Sequence, residues 1–137
     1  MTEYLLDTNI CIYLIKKCPP EVFKRFQQIQ LQQLHIPAIT VFELYYGIQK
    51  NNSHQRNLSA LKNFISPLTV VDFNLESAKK AALIRDALQK KGRPIGPYDI
   101  LIAAIALSLD MVLLTNNVRE FERVEGLKLE NWVSIPD

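Results

Sequence analysis

Three acidic residues stand at the end of a predicted strand or in the first turn of a predicted helix. Asp7 ends the first predicted strand, Glu43 lies in the first turn of one predicted helix, and Asp99 lies in the first turn of another. Each acid alone has a structural explanation, as a helix cap, as half of a capping box with Thr40, or as a favourable charge near a helix dipole. Three carboxylates brought close together cannot all stay ionised without a cation. Their pattern therefore predicts a metal site if the fold gathers them.

The other residue types of the chain favour magnesium or manganese at such a site. Carboxylate oxygens are the ligands that these ions select, whereas zinc prefers histidine and cysteine. The only histidines are His35, in a predicted strand, and His54, in a predicted loop, which argues against a histidine acid–base pair. None of the four glycines occurs in a Gly-x-Gly or Gly-Lys-Ser/Thr context, so no phosphate-cradling loop is predicted.

Strands and helices are predicted to alternate along the chain. Apolar runs and breaker residues predict strands at 4–6, 34–36, 68–71, 111–114 and 129–133, the last as an edge strand. Helices are predicted at 10–17, 20–31, 40–49, 56–65, 75–91, 97–109 and 118–123, with a polar loop at 51–55. This alternation predicts an α/β fold with a central, mostly parallel sheet and helices on both faces. Ligands bind such sheets beyond the carboxyl ends of the strands, where the three acids are expected.

Two of the predicted helices carry information about burial. The helix that Gly96-Pro97 opens is apolar all round except at Ser108, which predicts a buried helix. The helix at 75–91 ends at Gly92 and carries an apolar stripe, from which we expect contact with a second subunit. The stripe consists of Ala78, Ala81, Ala82 and Leu88, with Leu83 and Ala87 beside it.

Length and composition predict a single cytoplasmic domain. The 137 residues suit one compact unit. The longest apolar run, Ile100–Leu107, is far shorter than the roughly twenty residues of a membrane-spanning helix. The N-terminal residues lack the pattern of a signal peptide. A formal net charge of only +2 gives no overall basic field that would indicate a nucleic-acid partner.

Four segments resemble, in order, the successive motifs of PIN-domain nucleases. They are Leu5–Asn9, Val41–Leu44 with Gly47, Ile95–Asp99 with Ile102–Ala104, and Leu114–Asn117 with Arg119–Phe121. The likeness covers nearly the whole chain, so residues 1–137 are identified as a single PIN domain with a PIN-like fold. It is nearest to the VapC-type toxins of type II toxin–antitoxin modules.

The resemblance implies a metal-dependent ribonuclease. Its first, second and third acidic positions fall on Asp7, Glu43 and Asp99, which would hold Mg²⁺, or Mn²⁺, for phosphodiester hydrolysis. Many relatives carry a fourth acid where this chain has Asn117, whose amide oxygen, directly or through water, would serve as a ligand, and Glu120 would add charge. Three residues are predicted to orient the acids, namely Thr8, Asn9 and Thr115. Four are candidates for RNA contacts: Lys16, Lys91, Arg93 and Arg119.

The resemblance also implies partners. A cognate antitoxin would lay its C-terminal segment in a groove of this domain and block the acidic site, giving a hetero-oligomer built on a homodimer. The aromatic residues Phe42, Tyr45 and Tyr46 are candidates for lining that groove, although aromatics at this spacing more often belong to a core. The substrate would be structured RNA, with the anticodon loop of initiator tRNA as the expected target. No membrane partner is expected.

Three other functions compete with the ribonuclease. A phosphotransfer receiver requires paired acids and a lysine that ends a later strand, and Thr115-Asn116-Asn117 supplies no such lysine. A haloacid-dehalogenase-type phosphatase requires Asp-x-Asp, which Asp7-Thr8-Asn9 does not provide. The stronger alternative is a non-catalytic PIN module that binds RNA or an antitoxin and regulates transcription. The three acids argue against it, and Asn117 keeps it open.

Overall fold

Five parallel strands form one sheet at the centre of the molecule. The computed structural model describes residues 1–50 and 54–133. The strands are β1 (Tyr4–Leu6), β2 (Leu34–Pro37), β3 (Thr69–Val71), β4 (Val112–Leu114) and β5 (Leu129–Glu130), and their order in the sheet is β3-β2-β1-β4-β5. All four strand pairings are parallel. The predicted α/β fold class is therefore confirmed.

Helices cover both faces of this sheet. They are α1 (Thr8–Lys16), α2 (Pro20–Gln27), α3 (Ala38–Gln49), α4 (His54–Ile65), α5 (Leu75–Lys90), α6 (Pro97–Leu109) and α7 (Val118–Phe121). A short 3-10 helix, Leu31–Gln33, precedes β2. β2 passes into α3 without an intervening residue. Within the described residues, no helix combines the length and apolar character needed to cross a membrane.

Side chains alternate between two cores, one on each face of the sheet. Leu5 of β1 packs with α5, α6 and Phe121, whereas its neighbour Leu6 packs with α1, α2, α3 and α4. The prediction of a buried α6 is confirmed, because Ile102–Ala106 are all fully buried. Ser108, the one polar residue between Ile100 and Leu109, donates a hydrogen bond to the Ala104 carbonyl oxygen over 2.7 Å. This helix is therefore held in a fixed position, and it carries Asp99 in its first turn.

The central strands bring three turns to one edge of the sheet. β1 lies between β2 and β4, in register at Leu5↔His35 and Leu5↔Leu113. The Asp7 backbone N–H donates to the Leu114 carbonyl oxygen over 3.0 Å, which continues the β1–β4 pairing by one residue. Parallel strands end on the same side. The residues that follow β1, β2 and β4 therefore lie next to one another.

The predicted capping box of α3 is wrong. The helix begins at Ala38 with Pro37 as its N-cap, so Thr40 lies inside the helix and Glu43 lies in its second turn rather than its first. The proline fixes an extended backbone at the end of β2, and its missing N–H removes the need for a bonding partner there. Both Thr40 and Glu43 are therefore free to contact the turn after β1.

Other element boundaries differ from the prediction by a few residues. α2 ends at Gln27, because Gln30 and Gln33 bond reciprocally and close the 3-10 turn instead of extending the helix. β5 ends at Glu130, since the Asn131 side chain accepts a hydrogen bond from the Val133 backbone N–H at 2.9 Å. Of the loop predicted at 51–55, residues 51–53 lie outside the described part, and residues 54 and 55 begin α4.

Truncating a residue of the central sheet should destabilise the protein strongly. Leu113 is fully buried in β4, so Leu113→Ala should lower the free energy of unfolding by about 2–5 kcal/mol, through lost apolar contact and a residual cavity. Leu75, which is 68% exposed on α5, provides the matched control, and Leu75→Ala should stay within about 0.5 kcal/mol of wild type. Urea unfolding measures both. Equal effects would contradict this description of the core.

Candidate active site

Asp7 stands at the centre of the hydrogen-bonded turns at the sheet edge. Its side chain is buried, with 4% exposure, and both carboxylate oxygens have partners. Oδ1 accepts from the Thr8 backbone N–H at 2.8 Å, which makes Asp7 the N-cap of α1. Oδ2 accepts from the Thr115 hydroxyl at 2.7 Å. The capping function and a position in the acidic cluster are therefore not alternatives, since Asp7 has both.

A second chain of contacts leads from Asp7 through the turn after β4. The fully buried Thr115 hydroxyl donates to Asp7 and accepts from the Asn117 backbone N–H over 2.9 Å. The Asn117 side-chain amide then donates to Glu120 Oε2 over 3.2 Å. A hydrogen bond between Glu120 and Asp99 is one of the influences that raise the pKa of Asp99. The turn therefore joins the first and third acids of the predicted set.

Glu43 reaches the cluster from α3. Its Oε1 accepts a hydrogen bond from the Thr8 hydroxyl at 2.9 Å. Burial raises the pKa of Glu43 and the charge of Asp7 raises it further, while the Thr8 hydrogen bond opposes both. Burial likewise raises the pKa of Asp7, against the effect of the hydrogen bonds from Thr115 and Thr8. Three elements, β1, α3 and the turn after β4, thus meet at these hydroxyl groups.

Asp99 has the most perturbed ionisation of the three predicted acids. Burial, together with the charges of Asp7, Glu120 and Glu43, raises its pKa from 3.8 to about 7. The structure thus brings all three predicted acids within electrostatic reach of one another. Such mutual repulsion is the signature of a carboxylate group that lacks a countercharge.

The donor set of this cluster fits a magnesium or manganese ion. All four acids offer hard oxygen ligands, and the Asn117 amide oxygen is of the same class. Within the described part of the chain, however, no three acidic, histidine or cysteine side chains lie at the spacing that holds an ion. The oxygens of Asp7 accept hydrogen bonds from Thr8 and Thr115 instead, and the neighbouring Glu120 carboxylate contributes to the raised pKa of Asp99. Completing a ligand shell would therefore require side-chain rotation, most directly at the Asp99–Glu120 pair.

The remaining predicted residues are placed unequally around the cluster. Thr8 and Thr115 contact the acids, as the sequence predicted for residues that orient them. Asn9 is exposed on α1, and no hydrogen bond joins it to the acids among the described residues. Lys16 lines a groove that also contains Thr8 and Glu43. The other candidates for RNA contacts, Lys91, Arg93 and Arg119, are exposed on α5's C-terminal side and on α7.

Two residues have larger parts in the site than their sequence context indicated. Glu120 is a fourth member of the acidic cluster, and its spacing of three residues from Asn117 in the first turn of α7 was the available signal. The sequence predicts a helix-capping role for Thr40, yet its fully buried hydroxyl lies 3.4 Å from the Thr8 hydroxyl oxygen. No local pattern distinguishes these two uses of a threonine.

Two grooves flank the acids. One has a volume of about 420 Å³, lies between α1, α3 and α4, and includes Glu43 in its wall. The other, of about 730 Å³, lies between α5 and α6 and is lined by Ala78, Ala82 and Tyr98. The larger groove contains none of the acids. Only the smaller one therefore leads directly to the cluster.

Comparison with known proteins gives a consistent set of relatives. Residues 4–127 match the PIN domain family. The tRNA(fMet)-specific endonuclease VapC of Salmonella typhimurium is 42% identical, over 96% of this chain and 99% of its own length. Ribonuclease VapC2 of Haemophilus influenzae is 45% identical, over 97% of this chain and 100% of its own.

Solved structures agree with these sequences. The DNA-bound VapBC complex of Salmonella typhimurium contains a chain with a TM-score of 0.91 and 42% identity, covering 97% of this chain and 100% of that one. In the promoter-bound VapBC2 of Rickettsia felis the corresponding values are 0.88 and 36%, covering 96% of this chain and 100% of that one. Since sequence and fold agree over nearly the full length, the chain belongs to the PIN-domain family, as a VapC-type ribonuclease toxin of a toxin–antitoxin system.

Proposed function

We propose that this toxin is a magnesium-dependent endoribonuclease that hydrolyses RNA phosphodiester bonds at the acidic cluster. The observation that carries the proposal is the convergence of Asp7, Glu43 and Asp99, with Glu120 beside them, at the carboxyl edge of the sheet. Burial, together with the charges of the neighbouring acids, raises the pKa of Asp99 to about 7. Acids that are held together although their burial and repulsion destabilise the native state indicate a functional arrangement rather than a stabilising one.

The chain's own residues would divide the work of hydrolysis. Asp7, Glu43 and Asp99 would hold Mg²⁺ or Mn²⁺, with Asn117 and Glu120 on the side of α7. When bound, such an ion lowers the pKa of water and offsets the charge of the phosphate. Thr8 and Thr115 keep the Glu43 and Asp7 carboxylates oriented through bonds of 2.9 and 2.7 Å. One carboxylate of the three acids would take a proton from the attacking water while the bond between phosphorus and the 3′-oxygen breaks. The leaving 3′-oxygen would take a proton from solvent, which gives a 5′-phosphate and a 3′-hydroxyl.

The proposed substrate is initiator tRNA, cut in its anticodon loop. Its support is the 42% identity to an endonuclease of Salmonella typhimurium that is named tRNA(fMet)-specific. With this substrate, the protein would act in the cytoplasm. Lys16, which lines the groove beside Glu43, is the best placed of the four basic candidates to contact the RNA backbone. Phosphate contacts of this kind supply affinity and not sequence choice.

The proposed inhibitor is a cognate antitoxin that occupies the groove between α1, α3 and α4. The solved relatives of this chain from Salmonella typhimurium and Rickettsia felis are VapBC complexes. The walls of the groove are apolar at Ile12, Ile15 and Leu61, and they reach Glu43 at one end. A partly apolar peptide segment lying there would cover the acidic cluster and exclude RNA.

The proposed homodimer uses a different surface. Phe42 and Tyr46 stack on α3, with ring centroids 6.3 Å apart and planes 8° apart, and Tyr98 packs edge-on against Phe42 at 5.6 Å. All three rings are about half exposed. Tyr98 also lines the larger groove, together with Ala78 and Ala82 of the stripe for which the sequence predicted a subunit contact. The aromatic rings of one subunit and the groove of the other are complementary in character.

Removing one acid should abolish cleavage without unfolding the protein. Asp99→Asn preserves shape but removes a charged ligand, so cleavage of total RNA should fall at least about 100-fold. Asp86→Asn, which changes an exposed acid paired with Lys90 on α5, is the matched control and should keep full activity. Products are mapped by sequencing, with and without EDTA. Discrete cuts in initiator tRNA that require Mg²⁺ or Mn²⁺ are the expected result.

The outcomes of that experiment separate the proposals. Metal-dependent cuts in other RNAs would retain the nuclease and reject the tRNA target. Cleavage that survives in Asp99→Asn would reject this site. Absence of cleavage by wild type with either ion would favour the non-catalytic module that binds RNA or the antitoxin.

The stability of the metal-free protein should depend on pH through Asp99. Because the fold raises its pKa from 3.8 to about 7, ionising Asp99 destabilises the native state, and stability falls as pH rises through that range. At pH 8 in EDTA, Asp99→Asn should be more stable than wild type by about 1–2 kcal/mol, less than the full shift implies because solvent screens a partly exposed group. The difference should shrink towards pH 5. Thermal unfolding measures it, and added Mg²⁺ should stabilise wild type more than the variant.

Disrupting the aromatic surface should shift the protein towards monomer. Tyr46→Glu places a charge among the exposed rings, so sedimentation velocity should show a loss of the wild-type dimer at the same concentration. Leu31→Glu changes an apolar residue of similar exposure in the 3-10 helix before β2 and serves as control. A dimer unaffected by Tyr46→Glu would place the subunit contact elsewhere.

A further inference from the structure

The Thr40 hydroxyl lies between the two residues that flank Asp7 in sequence. Its Oγ1 is 3.4 Å from the Leu6 carbonyl oxygen and 3.4 Å from the Thr8 hydroxyl oxygen. Thr40 belongs to α3, whereas Leu6 ends β1 and Thr8 begins α1. The side chain is fully buried. One hydroxyl therefore connects the helix that carries Glu43 to the turn that carries Asp7.

The contact continues from Thr8 to Glu43. The Thr8 hydroxyl donates to Glu43 Oε1 at 2.9 Å, and a hydroxyl that donates its one proton can still accept another. In a chain of hydrogen bonds from Thr40 through Thr8 to Glu43, the Thr40 hydroxyl donates to Thr8 and the Thr8 hydroxyl donates to Glu43. Thr40 and Glu43 lie three residues apart on the same face of α3, which directs both side chains at Thr8. In such chains each bond strengthens the next.

Packing alone does not explain a hydroxyl at this position. A valine has the same shape and would bury a methyl group in place of the polar hydroxyl. Burying the methyl group is the more favourable of the two unless the hydroxyl has hydrogen-bond partners. Both partners of Thr40 belong to the β1–α1 turn, and both distances are longer than an ideal hydroxyl bond. The hydroxyl thus lies between the Leu6 carbonyl oxygen and the Thr8 hydroxyl, at 3.4 Å from each, rather than binding either tightly.

We propose that Thr40 is a positioning residue for the active site. Its hydroxyl holds the second turn of α3 against the β1–α1 turn and so sets the separation and orientation of the Glu43 and Asp7 carboxylates. Without it, Thr8 loses its support and Glu43 can rotate away from Asp7. The inference rests on the proposed metal-dependent function and adds to it a residue that contacts neither RNA nor the metal ion.

Two matched pairs of variants isolate the hydroxyl from the shape of the side chain. Thr40→Val differs from wild type only in replacing the hydroxyl by a methyl group. Thr40→Ser and Thr40→Ala lack the same methyl group and differ from each other only in the hydroxyl. If Thr40→Val does not fold, the serine and alanine variants still make the comparison. Thermal unfolding in EDTA establishes that each variant is native.

The expected result is that metal binding follows the hydroxyl. Thr40→Val and Thr40→Ala should bind Mn²⁺ about 10–100-fold more weakly than wild type and Thr40→Ser respectively, the range found when residues that support metal ligands are removed. Mn²⁺ binding is read directly by electron paramagnetic resonance, without RNA. Cleavage should fall by a similar factor at subsaturating metal and recover at high metal concentration, and RNA binding in EDTA should not change.

Two results would contradict the inference in different ways. If the folded valine and alanine variants bind Mn²⁺ as tightly as their hydroxyl-bearing counterparts, Thr40 does not position the acids, whether or not the wild type cleaves RNA. If wild type binds Mn²⁺ at the acidic cluster and cleaves no RNA, the proposed ribonuclease fails while the Mn²⁺ comparison still decides the position of Thr40. The two proposals are thereby tested separately.

Discussion

Repulsion between carboxylates is the constraint on which the arrangement of this molecule depends. Left to themselves, Asp7, Glu43, Asp99 and Glu120 would move apart into water. They are held at one edge of the sheet because each is attached to an element that cannot move independently. Asp7 continues the pairing of the two central strands, and Asp99 stands on a helix whose middle is fully buried. The apolar packing on both faces of the sheet therefore opposes a destabilisation that is concentrated at one edge.

The attachment is made by short polar side chains rather than by opposite charges. Thr8 supports Glu43, Thr115 supports Asp7, and Asn117 supports Glu120. A lysine or arginine in these places would neutralise the acids and would compete with a metal ion for them. Hydroxyl and amide donors orient a carboxylate while leaving most of its charge available. The cluster therefore remains both ordered and electrostatically unsatisfied, which is the condition that a cation can relieve.

The sequence predicted the parts of this structure that depend on local patterns. The alternation of strands and helices, the buried α6 and the expectation of three acids at the carboxyl edge of the sheet all follow from the positions of apolar and breaker residues. The start of α3 did not follow, because Thr40 and Glu43 satisfy the local rule for a capping box while Pro37 determines the helix start and both side chains bond across to Thr8. The contact of Glu120 with Asp99 was also beyond local reasoning. It depends on how α7 packs near the start of α6. These two elements are too far apart along the chain for a short motif to describe their contact.

The direct passage from β2 into α3 has a consequence for how this family can vary in length. With no residue between Pro37 and Ala38, one added or deleted residue at this junction would turn α3 by about 100° about its axis relative to the sheet. Glu43 would then face away from Asp7, although the hydrophobic composition of both elements would be unchanged. The connection between β3 and α5 has three residues, 72–74, and positions none of the acids. Insertions and deletions should therefore accumulate between β3 and α5 among natural variants and be excluded from the β2–α3 junction.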